Sequence, residues 1–253
     1  NQEVILSNAA SFSVTATGTS PSYQWFKDGA AMLGATASSL SLSNLSGGNA
    51  GDYTVRVTTA GGTATSRFAR LRVEVPDPGR IANLSVRAPA GVGGQALTVG
   101  FIVSGGSKPL LVRASGPALA AFNVPGTLPD PTLQVHQKIN GNDTIVATNN
   151  DWSADASNAA AVSAIPGPFP FANGSKDAAL VLNVDSDRTA LVSDTSNAVG
   201  VTLVEVYDVG SGNTSRLVNV STLNFSGTGD NVLIAGFIIS GNVPKTLLIR
   251  GVG

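Results

Sequence analysis

Short apolar runs recur from one end of the chain to the other, each closed by Gly, Asn, Ser or Pro. SFSVTATG, DYTVRVTTA and FARLRVEV alternate with a period of two, which sends successive side chains to opposite faces of a strand. QALTVGFIVS, PLLVRAS, DAALVLNV, VTLVEVYDV, NVLIAGFIIS and TLLIRGV are denser, the pattern of strands inside a sandwich. One segment has helical character, the Ala-rich run from Asp155 to Ile165, with Asp155 as its N-cap. The expected fold class is therefore all-β with one short helix.

Charged residues make up only 12% of the 253 residues, and Ser, Thr, Asn and Gly fill the polar positions instead. That is the surface of a β-rich extracellular protein. The net charge of −1 and the absence of Lys/Arg runs leave no basic footprint for nucleic acid or anionic lipid. With no cysteine, neither disulfides nor thiolate metal sites are available. No apolar stretch approaches the roughly 20 residues of a membrane-spanning helix. Asn1 leads straight into strand-like sequence, so any secretory leader is expected either to have been removed or never to have been part of this sequence.

Two boundaries punctuate the chain. PDPG, Pro76 to Gly79, reads as a stiff linker, and GSGNTS, Gly210 to Ser215, as a flexible one. There is also an internal repeat. Arg80 to Gly116 matches Arg216 to Gly253 with one inserted residue near Pro244. Arg80 pairs with Arg216, Asn83 with Asn219, Gly100-Phe101 with Gly236-Phe237, Ser104-Gly105 with Ser240-Gly241, and Arg113 with Arg250. A period of about 136 residues is a domain repeat rather than a solenoid unit. The expected domains are 1–75, 80–209, and a β-hairpin over 216–253 that opens a second copy.

YQWFKDG at Tyr23 to Gly29, SSLSLSNL at Ser38 to Leu45 and NAGDYTVRV at Asn49 to Val57 resemble bacterial immunoglobulin-like domains. The resemblance implies that residues 1–75 form an immunoglobulin-like β-sandwich. It makes Trp25 the buried tryptophan of the sandwich and Tyr53 the corner tyrosine. In disulfide-bonded members two cysteines occupy the places held here by Val14 and Val55, and two valines can fill that space by burial. Residues 80–209 resemble a repeated module of large secreted proteins of environmental bacteria, notably Verrucomicrobia. The resemblance rests on the Arg80 to Gly116 repeat, ASGPALAAFNVPGTLPDPTLQV, NNDW, GSKDAALVL and VTLVEVYDV. It implies export and surface display, and no catalysis.

Chemistry is thinly represented. His136 is the single histidine, in the strand-like PTLQVHQKI, and no G-x-S-x-G nucleophile elbow accompanies it. GVGG and GTGDN lack the Lys-Ser/Thr of a phosphate loop. Asn149, Asp151 and Asp155, with Asn150 beside them and Asn142 and Asp143 nearby, form the best calcium candidate. Their spacing does not fit a calcium loop, and turns and caps account for the same residues. Asp185, Asp187 and Asp194 form a second acidic group that a turn explains. Trp152, with Phe169 and Phe171, is the candidate for stacking on a polysaccharide, against the alternative that it plugs the sandwich beneath the helix. Asn-x-Ser/Thr sequons occur at Asn44, Asn83, Asn142, Asn173, Asn213, Asn219 and Asn224.

These readings converge on a non-enzymatic extracellular structural protein, a building block of a fibre, stalk or adhesin. The competing expectation is a carbohydrate-binding accessory region of a larger secreted enzyme. No cofactor is expected apart from the calcium considered above. Self-association is expected through Val232, Ile234, Phe237, Ile239, Leu247 and Ile249, the apolar residues of a hairpin offered as donor strands to a neighbouring copy.

Overall fold

The computed structural model describes every residue except Asn213, Asp230, Asn231 and Gly253. The sequon at Asn213, and residues 230, 231 and 253 of the expected hairpin, therefore lie outside the described residues. The chain divides into two compact units, Asn1–Asp77 and Pro78–Gly253.

The first unit contains β1 (Gln2–Ile5), β2 (Ala10–Ser13), β3 (Ser22–Lys27), β4 (Ala30–Ala31), β5 (Ser39–Leu42), β6 (Gly51–Thr59), β7 (Gly62–Thr65) and β8 (Ala69–Glu74). One sheet has the order β1-β8-β6-β3-β4, with β7 also on β6, and the second is β2-β5. Strand β1 runs parallel to β8. Asp28 and Gly29, both at positive φ, make the two-residue turn from β3 to β4, a turn whose twist suits a hairpin. Between the sheets lie Phe12, Trp25, Leu40, Leu45, Tyr53, Val55 and Leu71, all buried. Phe12 stacks on Tyr53 with ring centroids 5.0 Å apart. The Trp25 indole donates to the Ala37 carbonyl at 2.9 Å, and the Tyr53 hydroxyl to the Asn49 carbonyl at 2.7 Å. This unit is an immunoglobulin-like sandwich. Val55 pairs with Trp25 across β3 and β6 and is buried, whereas Val14 lies just past β2 and is half-buried. Phe12, two residues earlier, supplies the bulk that fills the sandwich from β2.

The second unit contains β9 (Arg80–Ala90), β10 (Leu97–Ser104), β11 (Lys108–Ser115), β12 (Pro131–Ile139), β13 (Asn142–Asn149), α1 (Ala156–Ser163), β14 (Ala178–Val184), β15 (Asp187–Asp194), β16 (Gly200–Asp208), β17 (Arg216–Leu223) and β18 (Ile234–Ser240). Its two sheets have the orders β13-β12-β15-β10-β17 and β14-β11-β16-β9-β18. Val86, Val99, Phe101, Leu110, Val112, Leu133, Val192 and Val206 meet in the core. β11 is buried on both faces because α1 and the loop carrying Phe169 and Phe171 cover its outer side. Asp155 caps α1 by accepting from the Asn158 amide at 2.8 Å.

The hairpin expected over 216–253 is not formed. Residues 216–223 are β17, paired with β10, while β18 is paired with β9 in the other sheet. Residues 246–252 carry no strand. The first copy shows the reason. Its β10 and β11 also belong to different sheets, because the chain passes from one layer to the other at Gly105 and Gly106, both at positive φ. A short glycine loop between two apolar strands reads as a hairpin, but here it crosses the sandwich. Of the apolar residues assigned to assembly, Ile239 and Leu247 pack against the unit's own core, Val232 is half-buried, and Ile234, Phe237 and Ile249 are exposed. The GSGNTS segment is likewise no boundary. Its described residues lie between β16 and β17 and are pinned where the buried Lys108 ammonium donates to the carbonyls of Gly212 at 3.0 Å and Ser215 at 2.8 Å.

Candidate functional site

The residues with most chemical character gather on the outer face of β11, beneath α1. Trp152 enters the cluster from the loop before α1. Its indole donates to the Ala172 carbonyl at 3.2 Å, and its ring lies edge-on to Phe171 at 6.0 Å between centroids. Asn158 on α1 donates to the carbonyls of Trp152 and Ala179, which ties the helix to β14. Trp152 is buried, so it presents no ring face on which a sugar could stack. It seals the outer side of the sheet, and the expectation of a carbohydrate platform at this residue is corrected accordingly.

Beneath the aromatic rings lies Arg113, which the repeat had marked but whose burial the sequence did not reveal. Its guanidinium sits 3.8 Å from the Phe171 ring centroid and 4.4 Å from that of Phe169. Its Nη2 donates to the Phe169 carbonyl at 2.8 Å, and its Nη1 lies 3.2 Å from Glu205 Oε2. The Tyr207 hydroxyl donates to the other Glu205 oxygen at 2.6 Å. Burial pulls the Arg113 guanidinium below its ordinary value, against the pull of Glu205. Burial also raises the Glu205 carboxyl, with Arg113 and Tyr207 opposing, and it raises the Tyr207 hydroxyl together with the bond to Glu205. A cavity of about 160 Å³ opens between Arg113, Trp152, Val162, Ile165, Phe169 and Phe171. Pockets that enclose small molecules usually hold about 300–1,000 Å³. The arrangement therefore acts as a clamp on the loop: a buried cation fixes Phe169 and Phe171 through their rings and a carbonyl.

The calcium candidates have other roles. The Asn149 carboxamide oxygen accepts from the Ala179 amide at 3.0 Å. Asp151 pairs with Lys176 at 3.0 Å, and Asp155 caps α1. The hydrogen bonds from the Ser157 hydroxyl and the Asn158 amide hold the Asp155 carboxyl below its ordinary value. Among the described residues, no three His, Asp or Glu side chains are grouped as metal ligands. Asp194 organises a turn, taking the amides of Ser196, Ala198 and Asp130, and Asp185 pairs with Arg188 at 3.0 Å. His136 faces away from the core-directed Leu133 and Val135, with Nδ1 3.0 Å from Asp143 and Nε2 3.4 Å from Gln134. Of the sequon residues, Asn83 is buried in β9.

A second buried ion cluster joins Lys108 to Asp208 at 3.0 Å, with Arg80 at 3.6 Å from the same oxygen. Sequence reading missed it because the partners are some hundred residues apart along the chain. In the first unit an open cleft of about 850 Å³ runs between segments 14–19 and 55–66, walled by Val14, Val55, Val57 and threonines. Among the described residues, no helix is long and apolar enough to cross a membrane.

No family model matches the sequence, and no curated protein does either. Among solved structures, the chain is similar to the titin domains Z1Z2 in complex with telethonin. The TM-score is 0.30 at 15% identity, over 90% of this chain and 93% of that one. It is similar to the eight N-terminal immunoglobulin domains of Down syndrome cell adhesion molecule, at TM-score 0.28 and 17% identity, over 80% of this chain and 25% of that one. It is also similar to immunoglobulin domains 1–5 of Sidekick-1, at TM-score 0.27 and 16% identity, over 88% of this chain and 38% of that one. At these scores the immunoglobulin-like assignment rests on the strands, Trp25 and Tyr53 described above.

Proposed function

We propose that the chain is an extracellular structural element, part of a surface fibre, stalk or adhesin, whose partners are neighbouring modules of its own kind. The observation that carries this reading is the way the two copies of the internal repeat meet. β9 of the first copy pairs with β18 of the second, and β10 of the first with β17 of the second. Main-chain pairing between repeated segments is a means of joining modules without a dedicated ligand site. The low charge and the Ser/Thr/Asn/Gly surface support placement outside the cell. The buried ions at Arg113–Glu205 and Lys108–Asp208 serve the fold, since each is closed against its partner inside the second unit.

The test is surface labelling. Antibody raised against the chain is expected to decorate intact, unpermeabilised cells of the source organism. Label that appears only after permeabilisation would refute the placement.

A further inference from the structure

The two repeat copies pair by the same rule in both directions. On β9 and β18, Ser85 faces Gly236, Leu84 faces Phe237 and Asn83 faces Ile238; the register then shifts, and Ile81 faces Ile239. On β17 and β10, Ser221 faces Gly100, Val220 faces Phe101 and Asn219 faces Ile102; the register shifts at the matching place, and Leu217 faces Val103. Exchanging the copies turns one list into the other. The close contacts obey the same exchange: a Cβ on Gly100 would lie 2.7 Å from the Ser221 hydroxyl, and one on Gly236 2.9 Å from the Ser85 hydroxyl. A local twofold relation therefore links β9 and β10 to β17 and β18.

The relation stops at the outer edges. β9 is paired on its far side by β16, and β10 by β15, whereas β17 and β18 end their sheets. The side chains follow suit. Phe101 is 1% exposed and its counterpart Phe237 is 46% exposed. With the inserted residue counted, β11 corresponds to residues 245–252. Leu111 and Val112 are 0% exposed, but Leu248 and Ile249 are 85% and 74% exposed. Charge repeats the pattern. Lys108 and Arg113 are buried against Asp208 and Glu205 of β16, while their counterparts Lys245 and Arg250 are exposed. The first copy thus shows what covers such a segment: the strands β12 to β16.

We propose that residues 216–252 are the opening strands of a second sandwich, and that their open edges bind the β12–β16 strand set of another copy of the module. The incoming β16 lies between β17 and residues 245–252, and the incoming β15 lies along β18. The incoming Glu205 and Asp208 meet Arg250 and Lys245. Both sheets then run unbroken across the twofold relation, and the exposed edges and apolar side chains are covered. The proposal rests on the module-joining role above and specifies its partner.

The test mixes the full chain, 25.4 kDa, with a polypeptide of residues 117–208 diluted from denaturant, and reads mass by light scattering. A one-to-one complex is expected. Leu248→Lys combined with Ile249→Lys alters only exposed side chains, so it should leave the melting temperature of the chain unchanged and abolish the complex. Arg250→Glu should weaken uptake by about tenfold or more, and Glu205→Arg in the added polypeptide should restore it. Three outcomes overturn the proposal: no uptake, equal uptake by the lysine variant (displacement of the first copy), or pairing of full chains with each other in place of uptake. None of these bears on surface placement, which the labelling experiment reads separately.

Discussion

Arg113 and Glu205 stand opposite each other on β11 and β16, 3.2 Å apart and both buried. Removing one member of such a pair strands the other charge away from water. Glu205→Ala is expected to destabilise the second unit by about 3–5 kcal/mol. Replacing both, as Arg113→Met with Glu205→Leu, should recover most of that loss, because apolar groups of similar volume need no partner. Urea unfolding of the single and double variants decides the matter. A Glu205→Ala loss below about 1 kcal/mol would mean that the pair is not closed in solution.

The corner of the first unit carries a separable expectation. Tyr53→Phe removes the 2.7 Å bond to the Asn49 carbonyl and leaves the ring against Phe12. The expected cost is about 1 kcal/mol. Trp25→Ala empties the centre of the same core and should cost about 3–5 kcal/mol. Amide exchange followed on peptides from residues 1–77 would show both, with Trp25→Ala much the faster. Equal protection in the two variants would contradict the placement of Trp25.

Asp155 distinguishes a cap from a metal ligand. Asp155→Ala is expected to cost about 1 kcal/mol by freeing the Asn158 amide, with the faster exchange confined to 156–163. Calcium or a chelator should leave the melting temperature of the wild-type chain where it is. A rise of several degrees with calcium would assign Asn149, Asp151 and Asp155 to a binding site instead.

Asp194 sets part of the acid sensitivity. Burial pushes its carboxyl up, but the Ser196 hydroxyl and the amides of Ala198, Asp130 and Ser196 outweigh that and hold it below its ordinary value. A folded value below the unfolded one means that the contribution is complete above the ordinary carboxylate pKa of about 3.9. It is lost as pH falls through the folded value. Asp194→Asn should therefore be less stable than wild type at pH 7 and show a flatter decline below pH about 4. Glu205, whose carboxyl is raised by burial, acts with the opposite sign and is unchanged in this variant. A wild-type slope that persists in Asp194→Asn would assign the acid dependence elsewhere.

Features set by neighbouring residues were legible in the sequence. Period-two alternation marks β6 and β8, and Asp155 caps a helix that begins one residue later. Trp25 and Tyr53 could be placed through a motif whose spacing is local. Phe12 was missed as the filler of the first core, because β2 is four residues long and does not show which of its apolar residues meets the facing sheet. At the second site Trp152 was visible, but not whether its ring would be covered. The ion clusters were hidden because Lys108 and Arg113 read as strand residues with polar tips until Asp208 and Glu205 arrive from β16.

Strand character, turn chemistry and the repeat itself belong to the sequence, since each depends on residues within reach of one another along the chain. The partner of each strand does not. A strand exposes two edges with the same backbone donors and acceptors, and nothing in NVLIAGFIIS states which edge will be taken or by which strand. That choice belongs to the assembled sheets: Gly105 and Gly106 pass the chain between layers, β9 and β10 each keep one edge open, and the segments of matching register, β18 and β17, close them.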